Sequence, residues 1–208
     1  MLGLGAPAAG MLLFETTAFA FSGIMVGWLG TVPLAAHQIA ITCASFAFMV
    51  PLGLSIAAGM RMSRAAGAGE RHRLRPIAFG ITALGVVVMA VFALVFWIGG
   101  DFIARRFVHD AAVIALAVQL LGVAAVFQLA DGVQVIAAAA LRGIMDARIP
   151  AVITLVAYWI IALPLGYGLG FPAGHGAAGI WVGIAGGLAF AAVFLVARLA
   201  RLTRPAAA

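Results

Sequence analysis

Two carboxylates stand in stretches otherwise suited to hydrocarbon: Glu15 in GMLLFETTAFAF and Asp131 in VAAVFQLADGVQVIAAAA. A charged side chain at the centre of a bilayer costs roughly 2.5–3.5 kcal/mol or more, so an acid retained there is a candidate for function. Two acids in one wet cavity can hold a proton between them or bind a small cation through several oxygens. Gln128, Asp131 and Gln134 recur at three-residue spacing and draw one polar stripe along an apolar helix. Such a stripe faces a cavity or a polar neighbour. The competing reading is a hydrogen-bonded network that only holds helices together.

Other polar residues carry weaker signals. His37 and Gln38 open the second apolar run, near an expected membrane boundary. There an anchoring role for the histidine outweighs a proton relay, and Gln38 is a candidate cavity residue. Tyr158 lies deep enough in the fifth run to line a cavity, beside Trp159; packing or an interfacial belt explains both equally well. Thr16, Thr17, Ser22, Thr42 and Ser45 can return their hydroxyls to helix carbonyls. Ser22 and His37 form the one tempting nucleophile and base, but no GxSG-type loop surrounds the serine, which disfavours an intramembrane protease. No GxxxxGK[ST] loop supports ATP hydrolysis, and no paired His/Glu motif suggests a metal centre. Cys43 is the sole cysteine, so no intrachain disulfide forms. No enzyme activity and no cofactor are expected, beyond a coupling ion such as H+ or Na+.

The elements that must position these acids follow from composition. The chain has 208 residues, 66% of them hydrophobic and 9% charged, against about 25% charged in a soluble domain. Six apolar runs are long enough to span a bilayer, at roughly 7–29, 34–60, 76–98, 112–141, 150–171 and 178–200. The expected fold is all-α, a polytopic membrane protein of six transmembrane helices in a single lobe over 1–208. The first run is too long for a signal-peptide core and has no basic residue before it. All 12 basic residues are arginine. With six spans, ten fall on the side of the termini, and only Arg105 and Arg106 on the other. That bias predicts cytoplasmic termini in a plasma (inner) membrane. Arginines grouped in short loops read as topology signals and not as a nucleic-acid surface; the 61–75 loop is also able to meet anionic headgroups.

With these spans, Glu15 lies about 12 Å and Asp131 about 15 Å from the cytoplasmic ends of their helices, at 1.5 Å per residue. The acids therefore share a depth on different helices. Pro7, Pro76 and Pro150 are expected near helix starts, where proline's missing N–H is harmless. Pro51 and Pro164 lie deeper and are expected to loosen their helices. Gly179, Gly183, Gly186 and Gly187, with Ala137 to Ala140, suit close helix packing.

The chain resembles the C-terminal half of a multidrug and toxic compound extrusion (MATE) transporter. The stretches that carry the likeness are LLFETTAFAF, LGTVPLAAHQIAI, FMVPLGLSIAAGMRMSRAAGAG, ALRGIMDARIPAVITLVAYW, LPLGYGLG and GAAGIWVGIAGGLAFAAVFLVARL. The resemblance implies a twelve-helix antiporter of two six-helix lobes around a cleft. Such antiporters export organic, often cationic compounds in exchange for protons or sodium. It also implies that Glu15 and Asp131 occupy the family's cation-site positions in this lobe. One departure is Phe127, where some members carry a tyrosine. The absent N-terminal lobe implies a partner: that lobe, or a second six-helix half. Two alternatives remain beside the antiporter: a non-transporting remnant or assembly subunit, and a lipid-linked saccharide flippase. The lack of a mid-span arginine to meet phosphate argues against the flippase.

Overall fold

The computed structural model describes residues 2–204, all of them helical or in short connections. The helices are α1 (Leu2–Gly27), α2 (Thr31–Gly67), α3 (Arg71–Phe107) and α4 (Ala111–Gly143). A fifth span joins α5 (Arg148–Leu155), a π-helical segment (Val156–Ala162) and α6 (Leu163–Gly170), and α7 (Gly176–Leu202) follows. Among the described residues, six helical spans are therefore long and apolar enough to cross a membrane. The fold class is all-α, as the composition implies.

The helices outrun their apolar runs. α2 and α3 have 37 residues each, about 55 Å at 1.5 Å per residue, against a hydrocarbon core of about 30 Å. Apolar sequence marks the part in lipid and not the helix. Arginine is itself a good helix former, so Arg61, Arg64, Arg71, Arg73 and Arg75 continue the helices past their apolar stretches. For the same reason Pro7 and Pro76 sit inside α1 and α3 and not at their first turns. Gly69, with φ at 73°, takes the left-handed conformation that lets α2 turn into α3. α4 starts on a side-chain cap: Asp110 accepts from the backbone N–H groups of Ala112 (2.9 Å) and Val113 (3.1 Å).

α4 is the axis of the bundle, with α2, α3 and α7 packed around it. Its faces carry small residues where neighbours approach. A Cβ at Gly143 would lie 2.6 Å from the Gly59 carbonyl oxygen of α2, and one at Gly132 2.6 Å from Met89 Cγ of α3. α1 lies at the edge, against α2 and the fifth span. A second close contact joins α6 and α7. Gly179 and Gly187 admit no Cβ: it would stand 2.6 Å from the Leu169 carbonyl and 2.5 Å from that of Ala157. Gly183, between them, abuts the backbone of Gly166. Glycines four apart give one flat stripe, and it lets two backbones touch without a hydrophobic driving force in lipid.

Candidate functional site

α1, α2 and α4, with one residue of α5, line a partly open cavity of about 570 Å³. Glu15, Thr16 and Phe19 contribute from α1, Ser45, Phe48 and Ser55 from α2, Asp131, Gln134 and Arg142 from α4, and Thr154 from α5. The two intramembrane acids thus face one space. Asp131 is 5% exposed, while Glu15 is only partly buried. Both lie well inside their helices and line the same cavity from different sides.

Gln134 ties the site together. Its Nε2 donates to the Tyr158 hydroxyl at 3.1 Å and, more weakly, to Glu15 Oε1 at 3.4 Å. One amide thereby links α4, α1 and the π segment. The π segment has a local cause. Pro164 has no N–H to give and its ring crowds the carbonyl one turn back. The helix widens, and the Leu163 N–H bonds the Tyr158 carbonyl five residues before it. Such bulges often sit at functional sites. Here the bulge carries the buried Tyr158 toward Gln134, while Trp159 Nε1 donates to the Phe14 carbonyl at 3.3 Å.

Around this link, polar atoms lack partners. Asp131 Oδ1, Gln134 Oε1 and both amide atoms of Gln128 are buried without a hydrogen bond among the described residues. Each such group costs about 1–3 kcal/mol relative to a satisfied one. They cluster within two turns of α4, so a polar visitor at this point recovers energy that the helix forgoes. The donor set is carboxylate, amide and hydroxyl oxygen, which suits a hard monovalent or divalent cation or a shared proton, not a thiolate-loving metal.

The sequence candidates separate into three places. Glu15, Asp131 and Gln134 line the cavity. Tyr158 lies behind Gln134, and Gln128 is fully buried one turn from Asp131; neither is a wall residue. Gln38 is exposed and lies outside the cavity. It shares the α2 stripe of Ile41, Ser45 and Phe48, but one turn beyond the last lining residue. Phe127 lines the cavity and packs against Trp181 with ring centroids 5.5 Å apart. Sequence reasoning passed over Arg142 and Thr154. The spacing Asp131, Val135, Ala138, Arg142 places the arginine on the acid's own helix face and was the available signal.

His37 is not a boundary anchor. It is 5% exposed, and its Nδ1 accepts from Trp181 Nε1 at 3.0 Å, joining α2 to α7. Ser22 donates instead to the Phe19 carbonyl at 2.7 Å. Serine and histidine are each committed elsewhere, so they form no nucleophile–base pair. Replacing His37 with Phe leaves the Trp181 N–H buried and unpaired, and stability falls by about 1–3 kcal/mol. His37→Gln keeps an acceptor and loses less. Thermal unfolding of the two purified variants, followed by tryptophan fluorescence, checks the difference.

The apolar six-span bundle thus sets two acids in the wall of one cavity. Comparison with known proteins gives the family. Residues 7–168 match the MatE family model, and the chain belongs to the MatE family. It is 43% identical over 203 residues to the multidrug resistance protein NorM of Burkholderia vietnamiensis, covering 95% of this chain and 44% of that protein. A probable multidrug resistance protein NorM of Agrobacterium fabrum is 41% identical, with 98% and 45% covered. The chain thus spans about half the length of the curated relatives it matches. Among solved structures, the eukaryotic MATE transporter AtDTX14 superposes with a TM-score of 0.88 at 21% identity, covering 98% of this chain and 48% of that one. The Vibrio cholerae MATE transporter VcmN in its bent form gives 0.87 at 17%, with 98% and 46% covered. At these identities the structures attest the fold.

Proposed function

We propose that this chain is the C-terminal lobe of a cation-coupled multidrug efflux antiporter, exporting organic, often cationic compounds in exchange for protons or sodium. One observation carries the reading: Glu15 of α1 and Asp131 of α4 face a single cavity whose buried polar atoms are short of partners. Neutralising such a pair by a proton or a small cation is the charge change that an ion-driven carrier needs. The kinship with NorM proteins supports drug-like substrates. Alternating access takes two bodies rocking about a shared site, and a chain half the length of its relatives supplies one. A complementary six-helix half, an N-terminal lobe or a second copy, completes the cleft. The arginine bias supports cytoplasmic termini in an inner membrane.

The test pairs this chain with the N-terminal half of the Burkholderia vietnamiensis relative in cells lacking their own efflux pumps. Ethidium extrusion is expected from the pair; extrusion by this chain alone would mean that a second copy completes the cleft. If the pair assembles in the membrane and extrudes nothing, the chain is an assembly subunit or remnant.

A further inference from the structure

We propose that Arg142 is a tethered cation that competes with the incoming cation for Glu15. This builds on the reading of Glu15 and Asp131 as the exchanging acids. Arg142 is the basic side chain of the cavity wall. Its natural partner in sequence would be Asp146, one turn on. That acid is taken: the chain turns left-handed at Met145, with φ at 68°, and Asp146 Oδ2 receives Arg198 Nε at 2.8 Å.

Arg142 consequently has no carboxylate within 4 Å among the described residues. Its side-chain contact is a weak one, from Nη1 to the Met11 sulfur at 3.8 Å. Met11 lies one turn before Glu15 on α1, about 6 Å along the axis. A guanidinium on a three-carbon stem covers that distance by rotamer change alone. Two positions follow. Against Met11 the guanidinium leaves Glu15 open; turned inward it pairs with Glu15 and expels what the acid holds. The guanidinium sits in the last turn of α4, at the end of the cavity nearest the arginine-rich helix termini.

The arrangement makes Arg142 a positioning residue with a measurable signature. A positive charge near the acid weakens cation binding, so removing it tightens binding. The probe is tetraphenylphosphonium, measured by equilibrium dialysis against the purified chain. Arg142→Gln is expected to bind it about tenfold more tightly than the parent, the order of effect expected when one like charge is removed from a shared cavity at an effective dielectric near 20. Arg142→Lys keeps the charge and stays within about twofold of the parent, by the same reasoning. In an E15Q background the gain from Arg142→Gln disappears, because the competitor has lost its target.

The outcomes separate the two ideas. If binding depends on Glu15 but Arg142→Gln leaves affinity unchanged, the tethered cation is wrong and the acid site stands. A gain from Arg142→Gln that persists in E15Q also overturns it, since the arginine then acts elsewhere. If Glu15→Gln and Asp131→Asn both bind the probe as the parent does, the acid site itself fails. Circular dichroism of each variant confirms that the bundle is intact.

Discussion

Glu15→Gln with Asp131→Asn abolishes ion-coupled export by the completed transporter, lowering it roughly a hundredfold, to leak. The reason is thermodynamic. An ion drives a conformational change only through a difference in its affinity for the two states, and the proposed source of that difference is the pair of carboxylates in one cavity. The amides match the acids in size, and Gln at position 15 still offers an oxygen to Gln134 Nε2, which now sits 3.4 Å from Glu15 Oε1. Packing is therefore preserved while the charge is lost. Each single change leaves one acid and an intermediate defect. An assembly subunit would behave differently: it would tolerate paired Leu replacements and keep its partner bound. Ethidium extrusion, set against the amount of each variant in the membrane, distinguishes the two.

The second large effect is structural. Gly183→Val prevents α6 and α7 from docking. A Cβ at this position runs into the Gly166 backbone, with the Ala162 carbonyl oxygen 2.8 Å away. Backbone cannot rotate aside as a side-chain tip can, so the helices must separate. Overpacking of this kind costs about 3 kcal/mol or more, and the loss extends along the stripe through Gly179 and Gly187. Gly186→Ala is the control, because its Cβ meets only the flexible end of Leu165 at 3.1 Å. Detergent-solubilised Gly183→Val is expected to aggregate on size exclusion while Gly186→Ala elutes as the parent does.

Much of the bundle was legible in the sequence because a bilayer imposes simple demands. Length and apolarity locate the helices, and six such spans are present among the described residues. What hydropathy misses is where helices continue in water, as α2 and α3 do through their arginines. Glu15 and Asp131 stood out by the cost of their charge, and Gln134 by its three-residue spacing from Asp131. Gln38 satisfies the same stripe as Ser45 but stands at the helix start, exposed and outside this cavity. His37 misled because its partner, Trp181, is 144 residues away, a pairing no local pattern reveals. Tyr158 owes its place to a π segment that the sequence signals only through Pro164. Arg142 has the sequence pattern of a topology arginine, and only the bond between Arg198 and Asp146 shows that its nearest acid in sequence is occupied.

The central claim is that Glu15 and Asp131 exchange a cation against drug. Its most direct test is ion countermovement in proteoliposomes holding the completed transporter. An imposed ethidium gradient should drive protons, read by an internal pH dye, or radioactive sodium in the opposite direction. The account predicts that this flux vanishes in the Glu15→Gln, Asp131→Asn double variant. An undiminished flux in that variant would contradict it.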